Sequence, residues 1–293
     1  MSLRSWLFVP GDSERKLEKV SGCGADVVIV DLEDAVAPHN KETARRMAPQ
    51  WLAAHRQQVV AGGRFQRWVR INALDTPHWR EDLHAVVGAA PDGIMVPKAA
   101  GPQQLQQLAG EIYELENQHG IPSNSIRLLP LVSETAAAAM TIGEYVKDTM
   151  PRLAGLTWGA EDLSAAIGAS RKRDAAGNWT DAFRMIRAQV LLASHARNIA
   201  PIDTLHADFR DEAGLRRIAA ESYADGFAGM LAIHPSQVPV INAAFSPTDA
   251  QIAEAQAIVE AFETSPGAGA LQVEGRMVDQ PHLAQARKLL DSL

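Results

Sequence analysis

Short runs of β-branched and aliphatic residues alternate with longer stretches of helical periodicity, and this alternation restricts the fold more than any other feature. The runs are Ser5 to Val9, Val27 to Asp31, Arg67 to Ile71, Gly93 to Val96, Ile126 to Leu131, Leu156 to Trp158, Ile202 to Asp203 and Met230 to Ile233. The helical patterns between them lie near Ser13 to Val20, Lys41 to His55, Pro77 to Val87, Pro102 to His119, Ala136 to Thr149, Asp181 to Asn198 and Glu212 to Tyr223. Asp12 or Ser13 can cap the first helix, and Gly120 to Pro122 stops the fourth. Eight strand-helix units in roughly 250 residues predict a TIM (β/α)8 barrel, with a doubly wound open sheet as the alternative. A helical pattern from Thr248 to Glu263, a Pro/Gly/Ala stretch from Ser265 to Ala270 and a last helix from about Pro281 then follow. The expected division is therefore a barrel over residues 1–245 and a helical extension over 246–293.

Composition removes several classes of function. The formal net charge of -7, with acids and bases interspersed, provides no basic field for nucleic acid. Cys23 is the single cysteine, which rules out an internal disulfide framework or a cysteine-rich metal cluster and fits a reducing compartment. The apolar run Trp6 to Val9 is too short for a signal segment, and no stretch reaches the ~20 apolar residues of a membrane helix. A cytoplasmic protein without membrane or nucleic-acid partners is expected.

In a parallel barrel the chemistry sits just beyond the C-terminal ends of the strands, and here those ends are unusually polar. They carry Asp31, Glu33 and Asp34, then Arg70 and Asn72, Lys98, Glu134, Glu161 and Asp162, Asp203, and His234 with Pro235. Several carboxylates at one mouth repel one another unless protons or a cation neutralise them. A hard divalent ion, magnesium or manganese, suits an oxygen-only donor set, with Glu134 and Asp162 on adjacent strand ends as ligands. Each acid has a plainer alternative as a helix cap. Arg70 needs an anionic partner, either a substrate oxygen or a structural pair with Glu33 or Asp34. Lys98 raises Schiff-base chemistry, which the surrounding acids oppose by keeping its amine protonated. His234 reads equally as a structural histidine or a ligand contact. Arg15 and Lys19, near the first strand's mouth, are candidate partners for phosphates or simply solvated cations.

Taken in order, Arg4 to Gly11 (RSWLFVPG), Asp31 to Val36 (DLEDAV), Val69 to Asn72 (VRIN), Val96 to Lys98 (VPK), Ser133 to Thr135 (SET), Gly159 to Leu163 (GAEDL) and Ile233 to Gln237 (IHPSQ) resemble the citrate lyase beta-subunit-like family of the HpcH/HpaI aldolase superfamily. The resemblance implies a TIM-barrel lyase that binds magnesium through Glu134 and Asp162, with Arg70 on the substrate; in such a site Glu33 and Asp34 are expected to orient metal waters and Arg70. The tail Val273 to Asp279, with Pro281 and His282, is similar to the C-terminal arm of malyl-CoA and citramalyl-CoA lyases. In those enzymes an aspartate, matched here by Asp279, enters a neighbouring subunit's site in a homotrimer. On residues alone Asp279 is a turn residue before a helix. The resemblance further implies a CoA thioester as substrate and release of acetyl-CoA and a 2-oxo acid; for such a substrate Arg15 and Lys19, from their position, and Pro235 are the candidate binding residues. A malyl-CoA thioesterase, a 2-oxo-acid aldolase without CoA, and a citrate lyase beta subunit working on a carrier protein are the alternatives. Ala99 and Ala100 depart from the family pattern, which often places an acid two positions after the lysine.

Overall fold

The computed structural model describes residues 3–56, 65–147 and 150–291. Eight strands, all parallel, form one sheet: β1 (Ser5–Pro10), β2 (Val27–Asp31), β3 (Gln66–Arg70), β4 (Gly93–Val96), β5 (Arg127–Pro130), β6 (Gly155–Thr157), β7 (Ala200–Asp203) and β8 (Gly229–Ala232). β1 pairs with both β2 and β8, and the remaining neighbours follow chain order. The ring closes through the bridges Leu128 to Leu153 and Leu131 to Thr157, which makes the sheet a (β/α)8 barrel and excludes the open doubly wound alternative. The strands read as near-continuous apolar runs because a parallel barrel strand is covered on both faces, by core inside and helices outside. β2 is the extreme case, buried at all five positions.

Side chains from seven strands fill the barrel, including Trp6, Ile29, Trp68, Met95, Leu129 and Ile202. Trp6 and Trp68 meet edge to face at 5.0 Å, a favourable arrangement for two aromatic quadrupoles. Gly93 makes room for them: a Cβ there would lie 2.4 Å from the Trp68 ring.

The helices around the barrel are α1 (Glu14–Val20), α2 (Lys41–Ala54), α3 (His78–Val86), α4 (Pro102–His119), α5 (Ala136–Ala139), α6 (Ala160–Ala166), α7 (Asp181–Ala196), α8 (Glu212–Asp225) and α9 (Gln237–Ala244). Two differences from the sequence reading matter. The helix expected over Ala136 to Thr149 breaks after α5 into a 3-10 segment, Ile142–Val146, with positions 148 and 149 outside the described residues. Thr141 bonds back to the Ala138 carbonyl at 2.9 Å and also reaches the Ala100 carbonyl at 3.3 Å, which diverts the helix. The short helices α6 and α9, directly after β6 and β8, were missed because seven or eight residues give too little periodicity.

Two compact units divide the chain, one spanning Leu3–Asn242 and the other comprising the chain from Ala243 onward. The second unit holds α10 (Asp249–Thr264), an antiparallel hairpin of β9 (Ala270–Val273) and β10 (Arg276–Asp279), and α11 (Gln280–Leu290). Its own small core gathers Ile258, Phe262, Val278 and Leu283. Glu274 and Gly275, with φ of 50° and 80°, form the hairpin turn, the left-handed pair that matches strand twist in a two-residue connection. Among the described residues no helix is long and apolar enough to cross a membrane.

Candidate active site

The C-terminal ends of β1, β2, β3, β5, β6, β7 and β8 converge on a cavity of about 630 Å³, lined by Asp31, Arg70, Glu134, Gly159 and Asp162 among others. Strand register creates the first contact. Asp31 and Arg70 are direct neighbours in the pairing of β2 with β3, and Asp31 accepts Arg70 Nε at 2.8 Å and Nη2 at 2.5 Å. The same carboxylate accepts the amides of Glu33 and Ala35, at 2.9 and 3.1 Å, so it also shapes the loop that follows β2. Lys41 pins that loop from the other side through the carbonyls of Leu32 and Glu33, both at 2.7 Å.

Arg70 Nη1 lies 2.9 Å from Glu33 Oε2, and the guanidinium sits 4.8 Å from the Phe8 ring centroid. Its structural partners are thus Asp31 and Glu33; Asp34 is not among them. Burial works against the charged guanidinium, but the charge and hydrogen bonds of Asp31, helped by Glu33, outweigh it and raise its pKa. Asp31 was not among the site residues expected from sequence. An acid as the last residue of an otherwise apolar, fully buried strand was the available signal.

Lys98 donates its amide to Glu134 Oε2 at 2.5 Å and its ammonium to Glu33 Oε1, with Asp34 Oδ2 at 3.7 Å. Burial would lower the lysine pKa, yet the bond to Glu33 and the surrounding acids leave it raised. The amine is held protonated, which is the opposite of what Schiff-base formation needs. Glu33 itself is raised, since burial outweighs the favourable charges of Arg70 and Lys98.

Glu134 and Asp162 are not used as caps. Thr135 caps α5 through its hydroxyl, which accepts the Ala138 amide, and Gly159 is the N-cap of α6, leaving Asp162 within the first turn. Glu134 is 4% exposed, and burial, followed by the charge of Asp162, pushes its carboxyl up to about 8. A side chain at Gly159 would crowd it, with Cβ 3.1 Å from Glu134 Cγ. Among the described residues no cation is ion-paired to either carboxylate, since Arg70 and Lys98 spend their ion pairs on Asp31, Glu33 and Asp34. Two acids at one cavity, short of a cation, fit a hard divalent ion. No cluster of three or more His, Cys, Asp or Glu side chains is arranged for a metal among the described residues. An ion held here would take two protein carboxylates and complete its shell with water and substrate oxygens, which is the coordination habit of magnesium.

Farther along the cavity wall lie Arg15 and Lys19 of α1, both exposed, together with His234 and Pro235 after β8. His234 stacks on Phe209 at 4.7 Å, and its Nδ1 is 2.8 Å from the Ser236 hydroxyl. The loop is set by the buried Gln237 side chain, which accepts the Ile233 amide at 2.8 Å and donates to the His206 carbonyl at 2.8 Å. In the C-terminal unit, Asp279 ends β10 and precedes α11, so its place before a helix is as the residues alone predict. Its carboxylate pairs with the His282 ring, which lowers its pKa.

Comparison with known proteins fits this geometry. The family model for HpcH/HpaI aldolase/citrate lyase matches residues 4–235. The chain belongs to that family. A (3S)-malyl-CoA thioesterase from Cereibacter sphaeroides is 35% identical over 289 residues, which cover 98% of this chain and 93% of that protein. An L-malyl-CoA/beta-methylmalyl-CoA lyase from Rhodobacter capsulatus is 33% identical, with 98% of this chain and 93% of the relative covered. The crystal structure of the protein CitE from Mycobacterium tuberculosis, in complex with magnesium, acetoacetate and coenzyme A, aligns with a TM-score of 0.77 at 33% identity, covering 99% of this chain and 97% of that one. Members of the family thus include lyases, and a solved neighbour carries both magnesium and coenzyme A.

Proposed function

We propose that this protein is a magnesium-dependent carbon–carbon lyase that cleaves a small 3-hydroxyacyl-CoA thioester of the malyl-CoA or citramalyl-CoA type into acetyl-CoA and a 2-oxo acid. The observation that carries the reading is the pair Glu134 and Asp162, unmatched by protein cations, on the same cavity as Arg70. In this reaction the substrate hydroxyl loses its proton, the adjacent carbon–carbon bond breaks, and the enolate of acetyl-CoA must be stabilised before it is protonated. A divalent ion held by Glu134 and Asp162 supplies Lewis acidity toward the hydroxyl and carboxylate of the acid half. Arg70, fixed by Asp31 and Glu33, faces the developing enolate oxygen, and removing a donor of this kind costs roughly a hundredfold or more in rate. Glu33, in contact with Arg70, orients the guanidinium, and Glu33 and Asp34 would orient the waters of a bound ion. Arg15 and Lys19 meet the phosphates of CoA, and Pro235 lies on the wall beside them. Asp279, a carboxylate paired to His282, is the group assigned to exchange the proton at the acetyl carbon, supplied by a neighbouring subunit of a homotrimer.

The 35% identity to a malyl-CoA thioesterase over nearly the whole chain favours one second reading, hydrolysis of the thioester at the same site. The products decide between them. Purified protein incubated with magnesium and a panel of 3-hydroxyacyl-CoA esters, read by mass spectrometry, is expected to yield acetyl-CoA plus a 2-oxo acid. Free CoA plus an intact hydroxy acid would replace the lyase with the thioesterase, and turnover that persists after complete metal removal would overturn both.

A further inference from the structure

Lys98 has a φ of 49°, in the left-handed region where a residue other than glycine is strained. The conformation serves a contact. It aims the Lys98 amide at Glu134 Oε2, 2.5 Å away, while the next amide, of Ala99, donates to the Leu131 carbonyl at 3.2 Å. The loop after β4 is thereby fastened to the end of β5. Glycine would adopt this backbone more readily, but it could not make the other contact of this residue, in which the ammonium reaches Glu33 Oε1. The second oxygen of Glu33 is 2.9 Å from Arg70 Nη1. Lys98 therefore touches one of the two unpaired carboxylates with its main chain and, through Glu33, the guanidinium with its side chain.

We infer that Lys98 is a positioning residue that fixes Arg70 relative to Glu134, its amide holding the carboxylate and its ammonium sharing Glu33 with the guanidinium. The inference rests on the function proposed above and assigns within it a role to a lysine that the chemistry leaves unused. Glu33 lies between two cations. With the ammonium gone, Arg70 is its sole ion-pair partner among the described residues, and the guanidinium is drawn toward it and away from the cavity. Contacts made by Arg15 and Lys19 are unaffected. The loss falls on turnover more than on substrate binding, because Arg70 is asked to act on charge that develops only as the bond breaks.

The test compares wild type, Lys98→Met, Glu33→Gln and the double variant by steady-state kinetics on the CoA ester that wild type turns over, and measures manganese binding to each metal-free protein by calorimetry. For Lys98→Met, kcat is expected to fall about ten- to a hundredfold with KM and manganese affinity each within about threefold, because the amide to Glu134 remains. The double variant should lose little more than the worse single one, and Lys98→Arg should recover part of the rate. Lys98→Gly, which suits the left-handed backbone and keeps the amide, guards against misfolding and should show the same loss in kcat. A kcat within about twofold of wild type in Lys98→Gly and Lys98→Met, losses that add in the double variant, or manganese affinity that falls in step with kcat would each overturn the positioning role. A wild type that turns over no ester in the panel overturns the functional reading and this inference with it; an active wild type with unaffected Lys98 variants overturns the inference alone.

Discussion

Glu134→Gln, studied without metal, separates a carboxylate kept for a ligand from one kept for the fold. Burial and Asp162 push the Glu134 carboxyl up to about 8 from an ordinary 4.5. Below pH 4.5 the group is protonated in both native and unfolded chains and has no effect on their balance. Between 4.5 and 8 the unfolded chain releases the proton while the native chain keeps it, so stability present at low pH is lost as pH rises, and the loss is complete above about 8. At about 1.4 kcal/mol for each tenfold change in proton affinity, the rise from 4.5 to about 8 sets an upper bound of about 5 kcal/mol. Water entry from the cavity reduces this to about 1–4 kcal/mol, the scale of the gain found when buried ion pairs are replaced by hydrophobic residues of similar volume. Glutamine keeps an oxygen for the Lys98 amide and carries no charge. In EDTA at about pH 8.5 the variant should therefore be more stable than wild type by about 1–4 kcal/mol in urea unfolding, with the gap closing toward about pH 4. Magnesium should stabilise wild type and leave the variant unchanged. A variant no more stable than wild type at high pH, or a gap that does not shrink with acid, would refute the account of Glu134 as a destabilising carboxylate awaiting a cation.

Four further outcomes follow from the same geometry. EDTA should abolish turnover and added magnesium restore it, with circular dichroism unchanged throughout. Asp31→Asn should lower kcat about ten- to a hundredfold by releasing the bidentate hold on Arg70, whereas Asp34→Asn, whose side chain is 57% exposed, should cost distinctly less; equal losses would contradict the assignment of Asp31. Gly159→Ala puts a methyl group 3.2 Å from Glu134 Oε1, and the displaced carboxylate should raise the magnesium needed for half-maximal rate by about tenfold. Asp279→Asn should be inactive, and mixing it with an inactive Arg70 variant should restore some activity if sites are shared between subunits; the absence of any complementation would confine Asp279 to its own chain.

The placement of strands and polar ends was legible because burial on both faces leaves a strand no polar alternation, and the break in each apolar run marks its mouth. Glu134, Asp162 and Arg70 could be picked out this way, as could the lysine's protonation, which needs only a surplus of nearby acids. Asp31 was passed over in favour of Glu33 and Asp34 because a run of three acids in four residues does not say which faces the guanidinium. That choice depends on the register between β2 and β3, which sets Asp31 beside Arg70 although they are 39 residues apart. The hairpin Ala270–Asp279 also escaped notice, since its Glu274-Gly275 turn sits between strands only four residues long.

By itself the sequence determined the parallel barrel, its mouth and the charge types gathered there, because these follow from local patterns of apolar and ionisable residues. Tertiary structure alone decided the pairings: Arg70 with Asp31 and Glu33, the Lys98 amide with Glu134, and the two carboxylates left over. A charge's partner is chosen by distance in space and by the desolvation both groups share, and neither quantity exists until strands far apart in the chain lie side by side.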